Sequence, residues 1–203
     1  DAGTTSKRNT SNSGGFTIRS TTMAGSSTDA LLCYANGSQY GSVTPASFST
    51  NTHKRTIIGR NSINGGGLLN GDIAELMVFS QVLNTTERII IENYLSSKYG
   101  ISITNDKYSF QGTNPSEVAG IGQESSTDNH TTAKGAGVVT ITGADDLDDG
   151  EYLIWGHDAG AFASQSTEIP VALSGGVRLT REWVADETGG DLGTVDITFD
   201  MSQ

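Results

Sequence analysis

The chain has 203 residues, a formal charge of −11 and one cysteine, and these three numbers exclude several classes of function. The long-range field of an acidic chain repels nucleic acid and anionic membranes, and a lone thiol can build neither a disulfide framework nor a thiolate metal site. An apolar fraction of 34% with 26 Gly is lean for a helical protein and ordinary for β-sandwiches, whose many turns use Gly, Asn and Asp.

Residues 1–28 are rich in Ser, Thr, Asn and Gly, with one short alternating run, "GFTIRS". Next comes "DALLCYANGSQYGSV", in which Asn36-Gly37 separates two extended runs. Asn-Gly between such runs is a strong hairpin signal, because both residues tolerate the positive φ of a type I′ turn. Cys33 lies in the apolar run and reads as a small core residue rather than a nucleophile. "KRTIIGRN" is a further short strand, followed by the Gly-rich loop Asn61–Asn70.

From Gly71 to Phe79, apolar residues occupy both alternating sets of positions, the pattern of a strand buried on both faces. After Leu83 the period changes to three and four. Asn84 stands where an N-cap belongs and Glu87 follows three residues later, an approximate capping box. Ile90, Ile91, Tyr94 and Leu95 form an apolar stripe, Lys98 ends it, and Gly100 is a natural C′ residue. The spacing predicts one helix over about 84–99, after which "GISITND" reads as strand again.

Beyond Tyr108 the pattern is strand and turn, with candidate strands "VAGIG", "GVVTITG", "EYLIWG", "VRLTREWVA" and "TVDITFD". Such spacing predicts a second sandwich. A boundary at Asn105–Gln111 divides the chain into 1–105 and 106–203. No run reaches the ~20 apolar residues of a membrane span, so membrane insertion is not expected. The first ten residues hold no signal-peptide core, and the last strand ends close to Gln203. The expectation is either a cytosolic protein or a mature or excised piece of a longer exported chain, and the ends favour the second, with the second sandwich truncated at its C-terminus.

"YANGSQYG", "TIIGR", the Gly-rich loop, "NGDIAELMVFSQVL", "NTTERIIIENYL" and "SSKYGI" occur in that order between Leu31 and Ile103. This ordered series resembles the C-terminal half of the laminin-G-like, concanavalin A-like jelly rolls of bacterial surface proteins. The pieces "EVAGIGQES", "YLIWGHDAG", "VRLTREWVADETGG" and "GTVDITFDMS" resemble the domain that often follows such jelly rolls in large adhesins. The resemblance implies an all-β fold: a jelly-roll-like sandwich with one capping helix, then a second antiparallel sandwich. It implies that the 71–79 strand lies in the jelly-roll core and that Ile90, Ile91, Tyr94 and Leu95 bury against one end of it. Fewer residues precede the second domain than a full jelly roll uses, so the first half of that sandwich is expected to be short or missing.

Candidate chemistry is sparse. Asp72 and Glu75 are three apart and point to opposite faces of a strand, so they do not make a glycosidase pair; Glu75 is expected to pair locally. His53, His130 and His157 are isolated and lack zinc spacing. No nucleophile elbow occurs, and "AGIGQE" is not followed by a helix that could cradle phosphate. No enzyme is expected. The ligand-binding candidates are Tyr34 and Tyr40 beside the Asn-Gly turn, with Trp155 and His157 in "YLIWGHDAG", although Trp155 and Trp183 read more simply as core. Asp145, Asp146, Asp148 and Asp149 crowd one loop and are calcium candidates, without EF-hand spacing; no other cofactor is expected. Four N-x-S/T sequons, at Asn9, Asn36, Asn84 and Asn129, read as chance.

The functional expectation is therefore a non-catalytic, extracellular bacterial surface module for adhesion, binding glycan or a surface protein through its loops. Two alternatives are a structural subunit of a filament or stalk, in which neighbouring copies pair strand edges, and an accessory module of a polysaccharide-degrading enzyme.

Overall fold

A computed structural model gives the structure of residues 15–23, 31–43, 58–59, 67–173 and 175–202. The described residues are mostly β-strand in several antiparallel sheets, with a single α-helix.

β1 (Arg19–Met23), β2 (Leu31–Ala35) and β3 (Ser38–Val43) form a three-stranded meander in that order. The Asn36-Gly37 turn between β2 and β3 has φ of 47° and 84°, the two positive values that a type I′ turn demands. The turn also docks: Thr104 donates its backbone N–H to Asn36 O at 3.0 Å, and the Asn36 side chain accepts from Ile18 N at 2.9 Å. A Cβ on Gly37 would lie 2.1 Å from Asn105 Oδ1, so only glycine allows the approach.

The helix, α1, spans Thr85–Tyr99. Its ends are as the sequence specifies. The Asn84 side chain accepts from Glu87 N and the Glu87 side chain accepts from Asn84 N, a complete capping box. Gly100 closes the helix in the left-handed region at φ 64°. Residues 101–106, read as strand from sequence, form instead the loop that holds the Asn36-Gly37 turn.

The rest of the chain builds two facing sheets. β4 (Ser116–Ser125), β5 (Asp128–His130), β8 (Tyr152–His157) and β11 (Trp183–Thr188) form one, in the order β11-β8-β4-β5. β6 (Thr132–Gly135), β7 (Val139–Thr142) and β12 (Asp196–Phe199) form the other, in the order β12-β7-β6. β9 (Ser164–Gln165) and β10 (Arg178–Leu179) make a small separate ladder.

Strand alternation explains the layering. Tyr152 and Ile154 of β8 and Val118 of β4 point to one face, where they bury with Ile89 and Ile90 of α1 and with Tyr108. Trp155 and Ile121, on the opposite face, bury with Val138, Val139 and Ile141 of the second sheet. Helix, sheet and sheet thus form three layers around two apolar cores, the central sheet contributing to both.

Two expectations are corrected here. Residues 72–79 are not a buried strand: they run extended without a strand partner among the described residues, and Val78 is 83% exposed. A run that is apolar on both faces reads as buried from sequence, but burial needs a layer on each side, and no described strand lies across this one. The helix does not bury the stripe Ile90, Ile91, Tyr94 and Leu95 as a unit. Ile89 and Ile90 pack on β4 and β8, while Ile91, Tyr94 and Leu95 are only half buried. The proposed strand "KRTIIGRN" and His53 lie largely or wholly outside the described residues.

Candidate functional site

A large concavity among the described residues lies between the meander and the helix. Residues 16–22, the extended run 72–83 and the outer face of α1 enclose a trough of ≈ 1220 Å³. Its walls include Ile73, Leu76, Val78, Phe79 and Val82, all about half exposed or more. Glu75 ties the extended run to the helix: its Oε2 accepts from Lys98 Nζ at 3.0 Å and Tyr99 Oη at 2.8 Å. Lys98 foremost, then Tyr99, holds the Glu75 carboxyl below its ordinary range. Glu75 is thus paired, but across 23 and 24 residues of chain rather than locally.

The polar groups at the base of the trough are already spent. Arg88 and Glu92, one helical turn apart, form a 2.9 Å ion pair with side chains 9% and 1% exposed. Glu92 also accepts from Ser20 Oγ at 2.8 Å and Asn105 Nδ2 at 2.7 Å. The Arg88 guanidinium carbon lies 3.9 Å from the centroid of the Tyr34 ring, a cation–π contact. Glu92 is thus a buried carboxylate with three hydrogen-bond donors that joins helix, β1 and the 101–106 loop, while Arg88 reaches β2 through Tyr34.

The candidates read from sequence do not converge. Tyr34 is engaged by Arg88 beneath the meander, whereas Tyr40 is exposed with Arg19 over its ring at 5.3 Å. Trp155 is a core residue between the sheets. His157 is 3% exposed and both ring nitrogens are used: Ala159 N–H donates to Nδ1 at 3.0 Å, which leaves Nε2 to donate to Glu117 Oε2 at 2.8 Å. Glu117 reaches it from a bulge in β4, with φ of 49°. Arg181 spans the ring of Phe162 at 5.8 Å and that of Trp183 at 5.9 Å, and donates to Gly160 O.

The four aspartates of the 145–149 loop serve separate turns. Asp145 accepts from the hydroxyl and N–H of Thr194, each at 2.7 Å, and these bonds hold its carboxyl below the ordinary range. Asp149 accepts from Gln123 Nε2 at 3.0 Å, while Asp146 and Asp148 donate backbone N–H groups to Leu192 O and Glu151 Oε2. Among the described residues no group of three or more His, Cys, Asp or Glu is placed to hold a metal ion.

Sequence reasoning missed the trough and its Arg88–Glu92 base. The i, i+4 spacing of that pair was visible, but its burial depends on β1 and the 101–106 loop, which lie far away in sequence.

These features define a mostly antiparallel β protein with one helix docked on its central sheet and an apolar trough on that helix's outer side. Residues 87–203, more than half of the chain, match the family described as Domain of unknown function (DUF8202), and the chain belongs to that family. The matched span opens within α1, the helix that packs on the sandwich. No curated protein and no solved structure matches the chain. No helix among the described residues is long and apolar enough to cross a membrane.

Proposed function

We propose that the chain is a non-catalytic interaction module of an exported bacterial surface protein, acting in adhesion by holding an extended segment of another protein in the trough. The observation that carries this reading is the trough itself, at ≈ 1220 Å³. Small-molecule sites occupy about 300–1,000 Å³, so the space suits a polymer. Its walls are mostly apolar and the Arg88 and Glu92 charges at its base are satisfied internally, which favours an apolar peptide over sugar, whose hydroxyls need polar partners. β1 is the outer strand of the meander among the described residues, and it borders the trough. Its edge offers backbone donors and acceptors to an incoming strand, a recognised route of peptide capture.

A random peptide library displayed on phage and selected on the 203-residue chain tests this directly. Enrichment of alternating apolar sequences, lost with Val78→Asp, is the expected result. Specific signals on a glycan array with no peptide enrichment would replace protein by sugar as the ligand. The same β1 edge also supports a second reading, a stalk or filament subunit assembled by strand pairing. A strictly monomeric species by light scattering across a wide concentration range would sink it.

A further inference from the structure

His157 stands at the end of β8, where the chain leaves the central sheet for the excursion that carries β9 and β10 and then returns as β11. Exit and return are bonded to each other. Asp158 donates its N–H to Glu182 O at 3.1 Å, and its carboxylate accepts from Gly160 N at 2.8 Å and Glu182 N at 3.1 Å. Arg181 Nε donates to Gly160 O at 2.9 Å. Ala159, in the middle of this turn, has φ of 64°, a left-handed value that a residue with a Cβ keeps only where its surroundings hold it. Its own N–H ends on His157 Nδ1 at 3.0 Å.

That bond requires a neutral ring. A backbone N–H can only donate, so Nδ1 carries the lone pair and the single ring proton sits on Nε2, toward Glu117 Oε2 at 2.8 Å. An imidazolium has an N–H on both nitrogens, so a second proton would set two donors against each other at 3.0 Å. The charge itself meets partners. Glu117 from β4 and Asp158 from the turn are carboxylates; Arg181, before β11, lies 3.9 Å from Glu117 Oε2; and the uncharged ring of Trp183 is 6.0 Å away. The Glu182 carboxylate pairs with Arg178 at 3.0 Å. Charging His157 therefore strengthens its bond to Glu117 and removes its bond to Ala159.

We propose that His157 is a pH-operated latch on the turn 158–160. The neutral ring holds the turn closed, and uptake of a proton from solvent at Nδ1 releases Ala159 and loosens the base of the β9–β10 excursion. The His157–Glu117 contact and the β8–β11 ladder stay in place. All parts of the latch lie between residues 117 and 183, and it stands or falls separately from the trough.

The test is NMR of the isotope-labelled 203-residue chain between about pH 8 and pH 5, the window in which an imidazole changes charge. At the alkaline end the expected result is a nitrogen–nitrogen coupling across the Ala159 N–H···Nδ1 bond, with His157 as the Nε2–H tautomer. At the acid end the coupling is lost, both ring nitrogens are protonated, and protection of the Ala159 amide falls by about tenfold while the amides of β8 and β11 keep theirs. His157→Asn supplies a latch that does not titrate, because an Asn side chain can accept from an N–H two residues on. That variant should keep Ala159 protected at both ends of the range, and if it does not fold the coupling in the native chain decides alone. A coupling that survives on a protonated ring, a ring that stays neutral throughout, no coupling at the alkaline end, or the same acid loss of protection in His157→Asn would each overturn the proposal.

Discussion

Asp128 on β5 caps a helix that begins more than forty residues earlier: its carboxylate accepts the backbone N–H of Thr86 at 2.9 Å and of Thr85 at 3.1 Å. The Thr86 hydroxyl donates to Asp128 O, and Glu124 N donates to that hydroxyl. Two of the helix's orphan N–H groups are therefore satisfied from the β4–β5 hairpin, and the negative charge sits at the positive end of the helix dipole. Replacing Asp128 by Ala should destabilise the protein by about 1 kcal/mol, the usual cost of a lost cap. Chemical denaturation of the two proteins side by side measures it.

The same carboxylate predicts a pH dependence. Burial raises the Asp128 pKa, but the hydrogen bonds from Thr86 and Thr85 outweigh it and leave the value below the ordinary 3.8. A depressed folded pKa means that the carboxylate's contribution is complete above the unfolded value and drains away as pH falls through the folded one. Denaturation midpoints of native protein and Asp128→Asn should therefore stay separated above about pH 4 and converge as pH falls below it through the folded-state value. A constant difference between pH 3 and pH 7 would contradict this.

How much was legible in the sequence follows from which interactions are local. Asn84, Glu87 and Gly100 act within a few residues of the helix ends, and Asn36-Gly37 acts within its own turn, so each was readable. The apolar runs that became β4, β7, β8 and β12 were readable for the same reason, whereas "VRLTREWVA", read as one strand, is split between β10 and β11, which lie in different sheets. β5 and β6, with the sequences "DNH" and "TAKG", carry no alternating signal and exist because β4 and β7 recruit them by edge pairing. The buried side of α1 was misjudged because it is half polar. Thr86, Glu92, Asn93 and Ser96 are buried with partners such as Asp128, Ser20, Lys107 and Ile101, which no local pattern reveals.

Ile90 and Ile91 are neighbours on the helix with different tasks, and truncation should separate them. Ile90 is buried against Val118, Tyr152 and Ile154, so Ile90→Ala should cost about 2–5 kcal/mol. Ile91 borders the trough and is half buried, so the same change there should cost well under half as much. Equal costs would mean that the trough is filled in solution by something that packs on Ile91.

Gly156 is a packing requirement rather than a conformational one. A Cβ there would lie 2.5 Å from Asn114 O and 2.8 Å from the hydroxyl of Tyr108, which itself donates to Asn114 O. The obstructing atom is backbone and cannot swing aside. Gly156→Ala should destabilise by about 1–3 kcal/mol through overpacking, and the tyrosine's buried hydroxyl should report it. Burial, with help from Asp186, raises the Tyr108 pKa to about 12. Loosening the 114–118 segment should lower that value toward the ordinary 10.0, visible in an alkaline absorbance titration.

The Arg88–Glu92 pair decides whether the meander stays attached to the helix. Removing the guanidinium by Arg88→Met leaves Glu92 1% exposed, with its charge supported only by Ser20 and Asn105. Breaking a buried pair from one side typically costs about 3–5 kcal/mol, because the remaining charge is uncompensated. Replacing both by apolar residues, Arg88→Met with Glu92→Leu, should recover most of that loss. The double change also removes the acceptor for Ser20 and Asn105, so the recovered stability should come without recovered order in the meander. Amide exchange would show it: protection in β4 and β8 returns to normal in the double variant, while β1 and β2 exchange faster than in the native protein. If β1 and β2 regain full protection as well, apolar packing alone holds the meander in place and the hydrogen bonds to Glu92 are dispensable.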